Sequence, residues 1–289
     1  MLDKMSEIHQ LPDGRKLGYA VYGDPDGYPI LFFHGIPGSR LQRVPDLSFL
    51  GEMSIILYSI DRPGIGLSSP HENRTVIDWA HDIEHFCSVL KISRYSVVGV
   101  SGGAPYALAC ASMLHQHMDH VALISGLAPI DNSMNLREMD PRIRIVFKIA
   151  RRHPLLLNGY LSFVYKFFKN KPTDAFNYFM SNLPEYDKRL FSTTKIANMF
   201  ESDIAEAFKN GGEGVVNEIQ TLLKPWGFEL DKIKMSVDMW HGTSDTIVPF
   251  GLFKYLVNEL PLVIPHVIEN GGHFIALEHA PQIFGQIKK

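Results

Sequence analysis

Gly99-Val100-Ser101-Gly102-Gly103 is the most informative part of the sequence, because it places one serine among small residues where a strand meets a helix. Residues 95–100 are apolar and β-branched, as in a buried strand, and residues 104–111 are typical of a buried helix. A non-glycine residue at positive φ in such a turn costs about 1–3 kcal/mol, and flanking glycines leave room for it. The stretch therefore predicts a nucleophile elbow, with the hydroxyl exposed at the positive end of the following helix.

A second strand and turn supply a candidate oxyanion hole. The apolar run Ile30-Leu31-Phe32-Phe33 leads directly into the tight turn His34-Gly35-Ile36-Pro37-Gly38-Ser39. Such a turn can direct the backbone N–H of Ile36 toward the same point as the N–H of Gly102. We therefore predict these two N–H groups as oxyanion donors, each of which typically contributes about 2.7–4 kcal/mol to transition-state stabilisation.

A candidate acid and base follow two further strands. Asp245 lies in the turn after the strand-like run 237–241, and His273 lies just past the strand-like run 262–268. The order Ser101, Asp245, His273, with each residue beyond the carboxyl end of a predicted strand, is typical of one hydrolase architecture. We therefore expect Ser101 as nucleophile, His273 as general base and Asp245 as the acid that orients the base.

These motifs resemble those of the α/β-hydrolase superfamily, in the branch that carries a helical cap. The turn 61–68, Asp-Arg-Pro-Gly-Ile-Gly-Leu-Ser, also resembles the segment that follows the fourth strand in that superfamily. The resemblance covers nearly the whole chain. It implies an α/β fold with a mostly parallel central sheet flanked by helices, and a helical cap inserted after the sixth strand.

The distribution of strand-like and helical patterns predicts three segments. Residues 1–130 alternate strands with helices and begin with an antiparallel hairpin around Pro12-Asp13-Gly14, so they form the first part of the core. Residues 131–230 contain no strand-like run and carry aromatic and lysine residues at helical spacing, as expected for the cap. Residues 231–289 return to strands and form the second part of the core.

Composition narrows the class of protein. The 289 residues are 45% hydrophobic and 20% charged, with a net charge of −3, which is ordinary for a globular domain and gives no basic footprint for nucleic acid. The N-terminus lacks the pattern of a signal peptide, and no segment has the ~20 apolar residues of a membrane span, so we expect a cytoplasmic location. Cys87 and Cys110 are expected to be free buried thiols, and no residue spacing indicates a metal site.

Other residues compete for the roles of base and acid. Among the histidines, His34 falls in the oxyanion turn and His279 in the closing helix, while others fall on or near predicted helices: His81, His85, His115, His117 and His120. Asp131 is the main rival acid, because it follows the sixth strand, where some members of the superfamily carry theirs. Asp61 is expected to shape its turn, and Asp238 lies within a strand. We favour His273 and Asp245.

One basic stretch of the predicted cap has two interpretations. Arginine and lysine alternate there with apolar residues, at Arg142, Arg144, Lys148, Arg151 and Arg152. The stretch fits a helix that lies on a membrane or binds an acidic group, and it also fits a solvated face above an apolar one. We favour the solvated face.

The motifs together predict a serine hydrolase that acts on a small or medium-sized acyl compound, most simply a carboxylic ester, without a cofactor. Thioesterase, carbon–carbon hydrolase and cofactor-free peroxidase activities use the same three residues and stay open. Aminopeptidase activity is disfavoured because Ile36 stands where proline iminopeptidases have glycine and because the elbow lacks their tryptophan. A ligand sensor of the same fold, with slow or vestigial hydrolysis, is the alternative from another class.

Overall fold

A computed structural model describes residues 1–130 and 138–288 of the chain. Eight strands form one sheet in the order β1-β2-β4-β3-β5-β6-β7-β8. The pairs β1·β2 and β2·β4 are antiparallel, and all other neighbours are parallel. The strands are β1 (Leu2–Gln10), β2 (Lys16–Gly23), β3 (Tyr28–Phe33), β4 (Ile55–Ile60), β5 (Tyr95–Val100), β6 (Met118–Ile124), β7 (Val237–Gly242) and β8 (Val263–Ile268).

Helices connect the strands of the sheet and also make up a long insertion. Those of the core are α1 (Ser48–Glu52), α2 (Asp78–Val89), α3 (Ala104–Met113), α10 (Phe250–Glu259) and α11 (Ala276–Ile287). Those between β6 and β7 are α4 (Pro141–Arg152), α5 (Pro154–Asn170), α6 (Pro172–Met180), α7 (Glu185–Phe191), α8 (Thr194–Ala207) and α9 (Glu213–Leu222). Short 3-10 turns occupy Ser101–Gly103 and Leu230–Lys232.

The sheet is buried on both faces, which explains why its central strands are apolar at successive positions. Side chains alternate between the faces along each strand. Val97 of β5 packs in the cluster that contains α2, α3 and α10, whereas its neighbour Val98 packs in the cluster that contains α1 and α11. The predicted α/β architecture, with helices on both sides of a mostly parallel sheet, is therefore confirmed.

The chain between β6 and β7 has a small apolar core of its own. Leu157 and Leu161 of α5 pack there with Ile204 and Phe208, which lie at the C-terminal end of α8. The ring of Tyr165 stacks on Phe208 with centroids 4.7 Å apart. We call residues 138–230 the helical insertion; within this range only helices, turns and loops occur. Residues 131–137, the first of the predicted cap, lie outside the described residues.

Two smaller sequence predictions are also confirmed. β1 and β2 form an antiparallel hairpin in which Gln10 pairs with Lys16. Cys87 and Cys110 are free and buried, and burial raises the pKa of both thiols. In addition, no helix among residues 1–130 and 138–288 is long and apolar enough to cross a membrane.

The topology gathers the predicted site residues at one edge of the sheet. Ile36, Ser101, Asp245 and His273 follow β3, β5, β7 and β8 respectively. These four strands run parallel to one another, so their carboxyl ends share an edge. Open parallel sheets bind ligands at this edge.

Candidate active site

Ser101 lies on a tight turn between β5 and α3 and has a positive φ of 53°. The turn has no space for side chains at the flanking positions. A Cβ at Gly103 would lie 2.1 Å from the carbonyl oxygen of Phe33, and a Cβ at Gly99 would lie 2.7 Å from the carbonyl oxygen of Gly103. The glycines thus allow the strained turn that the sequence motif predicts.

The two predicted oxyanion donors are neighbours beside this serine. A Cβ at Gly102 would lie 2.7 Å from Cδ1 of Ile36, so the Ile36 side chain packs directly on the Gly102 backbone. A Cβ at Gly35 would lie 3.4 Å from the Cβ of Ser101. The turn after β3 and the elbow after β5 are therefore in van der Waals contact, as a two-donor oxyanion hole requires.

Asp245 and His273 form a buried hydrogen-bonded pair. Nδ1 of His273 lies 2.7 Å from Oδ2 of Asp245. Oδ1 of Asp245 accepts hydrogen bonds from the backbone N–H of Ile247 at 2.8 Å and of Val248 at 2.9 Å. The carboxylate is therefore fixed by its own turn and presents its second oxygen to the imidazole. This leaves Nε2 of His273 for proton exchange with a substrate or nucleophile.

A second histidine also approaches Asp245, although the sequence analysis does not single it out. Nε2 of His241 lies 3.4 Å from Oδ2 of Asp245 and 2.8 Å from the carbonyl oxygen of Val248. Burial lowers the pKa of His241, and the neighbouring carboxylate offsets only part of that effect. For His273 burial also acts to lower the pKa, but the charge and hydrogen bond of Asp245, with a further contribution from Asp187, outweigh it and raise the pKa. Asp245 thus stabilises the protonated form of His273 in particular.

Asp187 is a buried acid of the helical insertion that sequence reasoning missed. It lies on α7, and its two carboxylate oxygens accept the backbone N–H groups of His273 at 2.9 Å and Phe274 at 3.1 Å. A Cβ at Gly272 would lie 2.2 Å from this carboxylate. The loop that carries His273 is therefore held by the insertion, across 86 residues of sequence.

Asp203 of α8 holds the turn after β3 in a similar way. Its Oδ1 accepts from both the N–H and the hydroxyl of Ser39, each at 2.7 Å. Beside it, Arg40 forms an ion pair with Asp61 at 2.9 Å and with Glu206 of α8 at 2.7 Å. Burial raises the pKa of Asp203 to about 7, although the hydrogen bonds from Ser39 oppose this shift.

Two of the aspartates that were alternatives to Asp245 as the acid have other partners. Asp61 accepts from the backbone N–H of Arg40 and of Leu67, so it shapes its turn as expected. Asp238 pairs with His266 at 2.9 Å. The rival acid Asp131 lies outside the described residues. Within residues 1–130 and 138–288, no group of three or more His, Cys, Asp or Glu residues is arranged to hold a metal ion.

A cavity of about 730 Å³ lies between the helical insertion and the sheet edge, and Ser101 and His273 both line it. Its walls are mainly aromatic and aliphatic, with Phe147, Tyr160, Phe167, Phe179, Phe200 and Ile219 among the insertion residues. Arg43, Asp140 and Arg142 are the charged Asp, Glu, Lys or Arg residues among the described lining. Arg142 and Asp140 pair with each other at 2.6 Å.

The fold is that of a family of hydrolases. Residues 28–280 match the family described as alpha/beta hydrolase fold, and the chain belongs to this family. Solved structures cover nearly all of the chain at low identity and show the same fold. An esterase from Exiguobacterium antarcticum has a TM-score of 0.68 and 18% identity, covering 98% of this chain and 97% of its own. A bromoperoxidase from Bacillus anthracis has a TM-score of 0.69 and 21% identity, covering 99% and 97%.

Curated relatives match a shorter part of the chain. A proline iminopeptidase from Xylella fastidiosa is 37% identical over 106 residues, which are 34% of this chain and 32% of the relative. One from Neisseria gonorrhoeae is 34% identical over 112 residues, which are 37% and 34% of the two chains. The matches thus span about a third of these relatives. These matches support a hydrolase but do not identify its substrate.

Proposed function

We propose that this chain is a serine hydrolase that cleaves carboxylic esters with an uncharged, apolar acyl group. Ser101 is the nucleophile, His273 the general base and acid, and Asp245 the residue that orients the imidazole. The observation that carries the proposal is the Asp245–His273 hydrogen bond of 2.7 Å, because the imidazole it orients lines one apolar cavity together with Ser101.

The mechanism follows from these positions. Oγ of Ser101 attacks the ester carbonyl, while Nε2 of His273 takes its proton. The N–H groups of Ile36 and Gly102 stabilise the oxyanion of the tetrahedral intermediate. His273 then protonates the leaving alcohol, and water attacks the acyl-enzyme with the same histidine as base. Asp245 stabilises the imidazolium in both half-reactions.

The substrate class follows from the cavity. We infer that the helical insertion acts as a cap, so that the acyl group lies among aromatic side chains of α4, α5, α6 and α8 and aliphatic side chains of α9. An apolar pocket stabilises an apolar ligand by roughly 25 cal/mol per Å² of buried surface. A charged acyl group would have to compete with the pairing of Arg142 with Asp140 at 2.6 Å or with that of Arg43 with Asp3 at 3.7 Å.

The identity with proline iminopeptidases favours a second candidate, removal of an N-terminal residue from a peptide. Such a substrate carries an ammonium group and calls for an unpaired carboxylate in the cavity. Asp140 is the one Asp or Glu side chain in the described lining, and Arg142 neutralises it at 2.6 Å. The ester proposal therefore has the better support.

A panel of 4-nitrophenyl esters of increasing acyl length, with proline 4-nitroanilide beside it, tests both candidates. We expect kcat/KM to rise with acyl length until the cavity is full, and turnover above ~1 s⁻¹ on the best ester. Faster cleavage of the anilide than of every ester would replace the proposal with the aminopeptidase. A single acylation event followed by a stalled covalent complex would instead favour the ligand sensor.

A further inference from the structure

The charged side chains in the first two helices of the insertion are all basic. Residues 141–171 contain no Asp or Glu, although the whole chain has a net charge of −3. Their eight basic residues are Arg142, Arg144, Lys148, Arg151, Arg152, Lys166, Lys169 and Lys171. We call this segment the basic surface. Asp140, just before this segment, pairs with Arg142, and the remaining excess of basic residues gives the basic surface a positive electrostatic potential that attracts anionic groups.

Large apolar side chains project from the same surface. Leu155 is 93% exposed, Leu156 is 65% exposed and Phe163 is 70% exposed. Positions 155, 159 and 163 recur every four residues and so share one face of α5. A Cβ at Gly159, between them, would meet nothing within 4 Å. Apolar groups this exposed are costly in water, and together with basic neighbours they indicate an interaction surface.

The cavity reaches the solvent at this surface. Phe163 lines the cavity and is also 70% exposed, and Tyr178 lines it and is 58% exposed. Side chains that belong to both the cavity wall and the outer surface mark the rim of its opening. Phe163 of this rim lies about two turns along α5 from the exposed leucines, and Tyr178 lies on α6.

We propose that the basic surface binds the interface of an anionic lipid bilayer, with Leu155, Leu156 and Phe163 entering the headgroup region and the cavity opening toward the lipid. A bilayer of this kind supplies both partners that the surface calls for, an apolar phase for the leucines and phosphates for the basic residues. A nucleic acid supplies the phosphates alone. The helices lie on the membrane, as expected for amphipathic segments with a charged polar face. The exposed leucines and Phe163 thus favour the membrane-bound helix over the solvated face that the sequence alone favours.

The test measures flotation of the purified full-length chain with vesicles, at low and high salt. Vesicles of phosphatidylcholine are compared with vesicles in which roughly a quarter of the lipid is phosphatidylglycerol. The charge variant combines Lys148→Gln, Arg152→Gln and Lys169→Gln, and the apolar variant combines Leu155→Gln and Leu156→Gln. None of these five side chains lines the cavity. The matched control removes three exposed lysines outside the basic surface, by Lys4→Gln, Lys224→Gln and Lys234→Gln.

We expect the wild type and the control to float with the anionic vesicles and to be released by salt. The charge variant should lose roughly a hundredfold in partitioning, from about fivefold for each of the three basic residues removed. The apolar variant should lose about tenfold or more on the same vesicles. Ser101→Ala should bind like the wild type, so that the result does not depend on the proposed hydrolase activity. Thermal unfolding of every variant verifies that it is folded.

Three outcomes would overturn the proposal. The first is absence of flotation with both kinds of vesicle. The second is equal flotation of the wild type, the charge variant and the apolar variant. The third is binding to soluble polyphosphate as tight as to the vesicles and insensitive to the leucine substitutions, which would make the surface a general anion site.

Discussion

The carboxylate of Asp187 accepts the backbone N–H of His273 at 2.9 Å, so an acid of the helical insertion fixes the loop of the proposed base. A second bond, from the N–H of Phe274, makes the contact bidentate. Because Asp187 touches the backbone and not the imidazole, we assign it a positioning role.

Asp187→Ala should leave the buried N–H of His273 and the partly buried N–H of Phe274 without an acceptor. The free energy of unfolding should fall by about 2–6 kcal/mol, at about 1–3 kcal/mol for each group. Asp187→Asn can still accept one of the two bonds and should lose about 1–3 kcal/mol. In the Asn variant kcat should fall more than KM rises, since the base is displaced and the cavity is intact. Urea unfolding and ester kinetics measure both effects. The exposed Glu185→Gln on the same helix is the control, and equal behaviour of the two variants would contradict the positioning role.

Ser101→Ala should reduce ester hydrolysis by about a millionfold and leave the fold intact, because the hydroxyl lies at the cavity and not in the core. Turnover is measured with the best ester of the panel, and the unfolding temperature reports the fold. Ser236→Ala, which alters an exposed serine, should keep full activity. Residual turnover above about one per cent in Ser101→Ala would remove Ser101 from the mechanism, given the size of the expected loss.

Asp245→Asn should lower kcat by roughly ten-thousandfold, because the amide favours the wrong tautomer of His273. Asp238→Asn provides the matched control, since Asp238 lies on β7, the strand that leads to the turn of Asp245, and pairs with His266. Asp131→Asn should also have little effect. A larger loss in Asp131→Asn than in Asp245→Asn would transfer the role of the acid to Asp131.

The activity should require deprotonated His273, so kcat/KM should rise as the pH increases through the pKa of this residue. The carboxylate of Asp245 raises that pKa above its ordinary value of 6.5 despite burial. In Asp245→Asn the acid limb of the residual activity should move to lower pH, because burial lowers the pKa of His273 and the carboxylate that opposes this effect is gone. If the acid limb of the pH profile stayed at the same pH in this variant, it would not report the titration of His273.

Asp203 should make the protein less stable as the pH rises. Its folded pKa of about 7 lies above the ordinary value of 3.8, so its contribution to stability is complete below 3.8 and is lost between there and about 7. The loss is at most about 4 kcal/mol for a shift of this size. Asp203→Asn keeps an oxygen that can accept from Ser39, and should flatten the pH dependence of urea unfolding. The control Asp174→Asn, at an exposed position of α6, should show the same pH dependence as the wild type. If the stability of Asp203→Asn changed with pH in parallel with the wild type, the pH dependence would not come from Asp203.

The sequence predicts the elbow and the loops of Asp245 and His273 because each depends on a few adjacent residues. The tight turn at Ser101 requires only the nearby glycines Gly99 and Gly103, and the proposed acid and base each follow a strand directly. The choice between Asp245 and Asp131 does not depend on adjacent residues. It depends on which carboxylate meets the imidazole, and the 2.7 Å contact with Asp245 is visible only in three dimensions.

Asp187 and Asp203 could not be found from the sequence. Their partners are 86 and 164 residues away, and neither acid lies in a local pattern that separates it from an ordinary exposed helix residue. The same holds for Leu155, whose apolar side chain fits the buried side of an amphipathic helix equally well but is 93% exposed. Long-range packing decides these cases.

The contacts of Asp187 and Asp203 set a condition on exchanging specificity among members of this family. A transplanted insertion would bring new pocket walls, but a chimera lacking these two acids would leave the N–H groups of His273, Phe274 and Ser39 without acceptors. Such a hybrid would lose turnover for reasons unrelated to the ligand it was built to accept. A modular redesign of this protein therefore has to treat the two aspartates as part of the recipient scaffold and restore them in every donor segment.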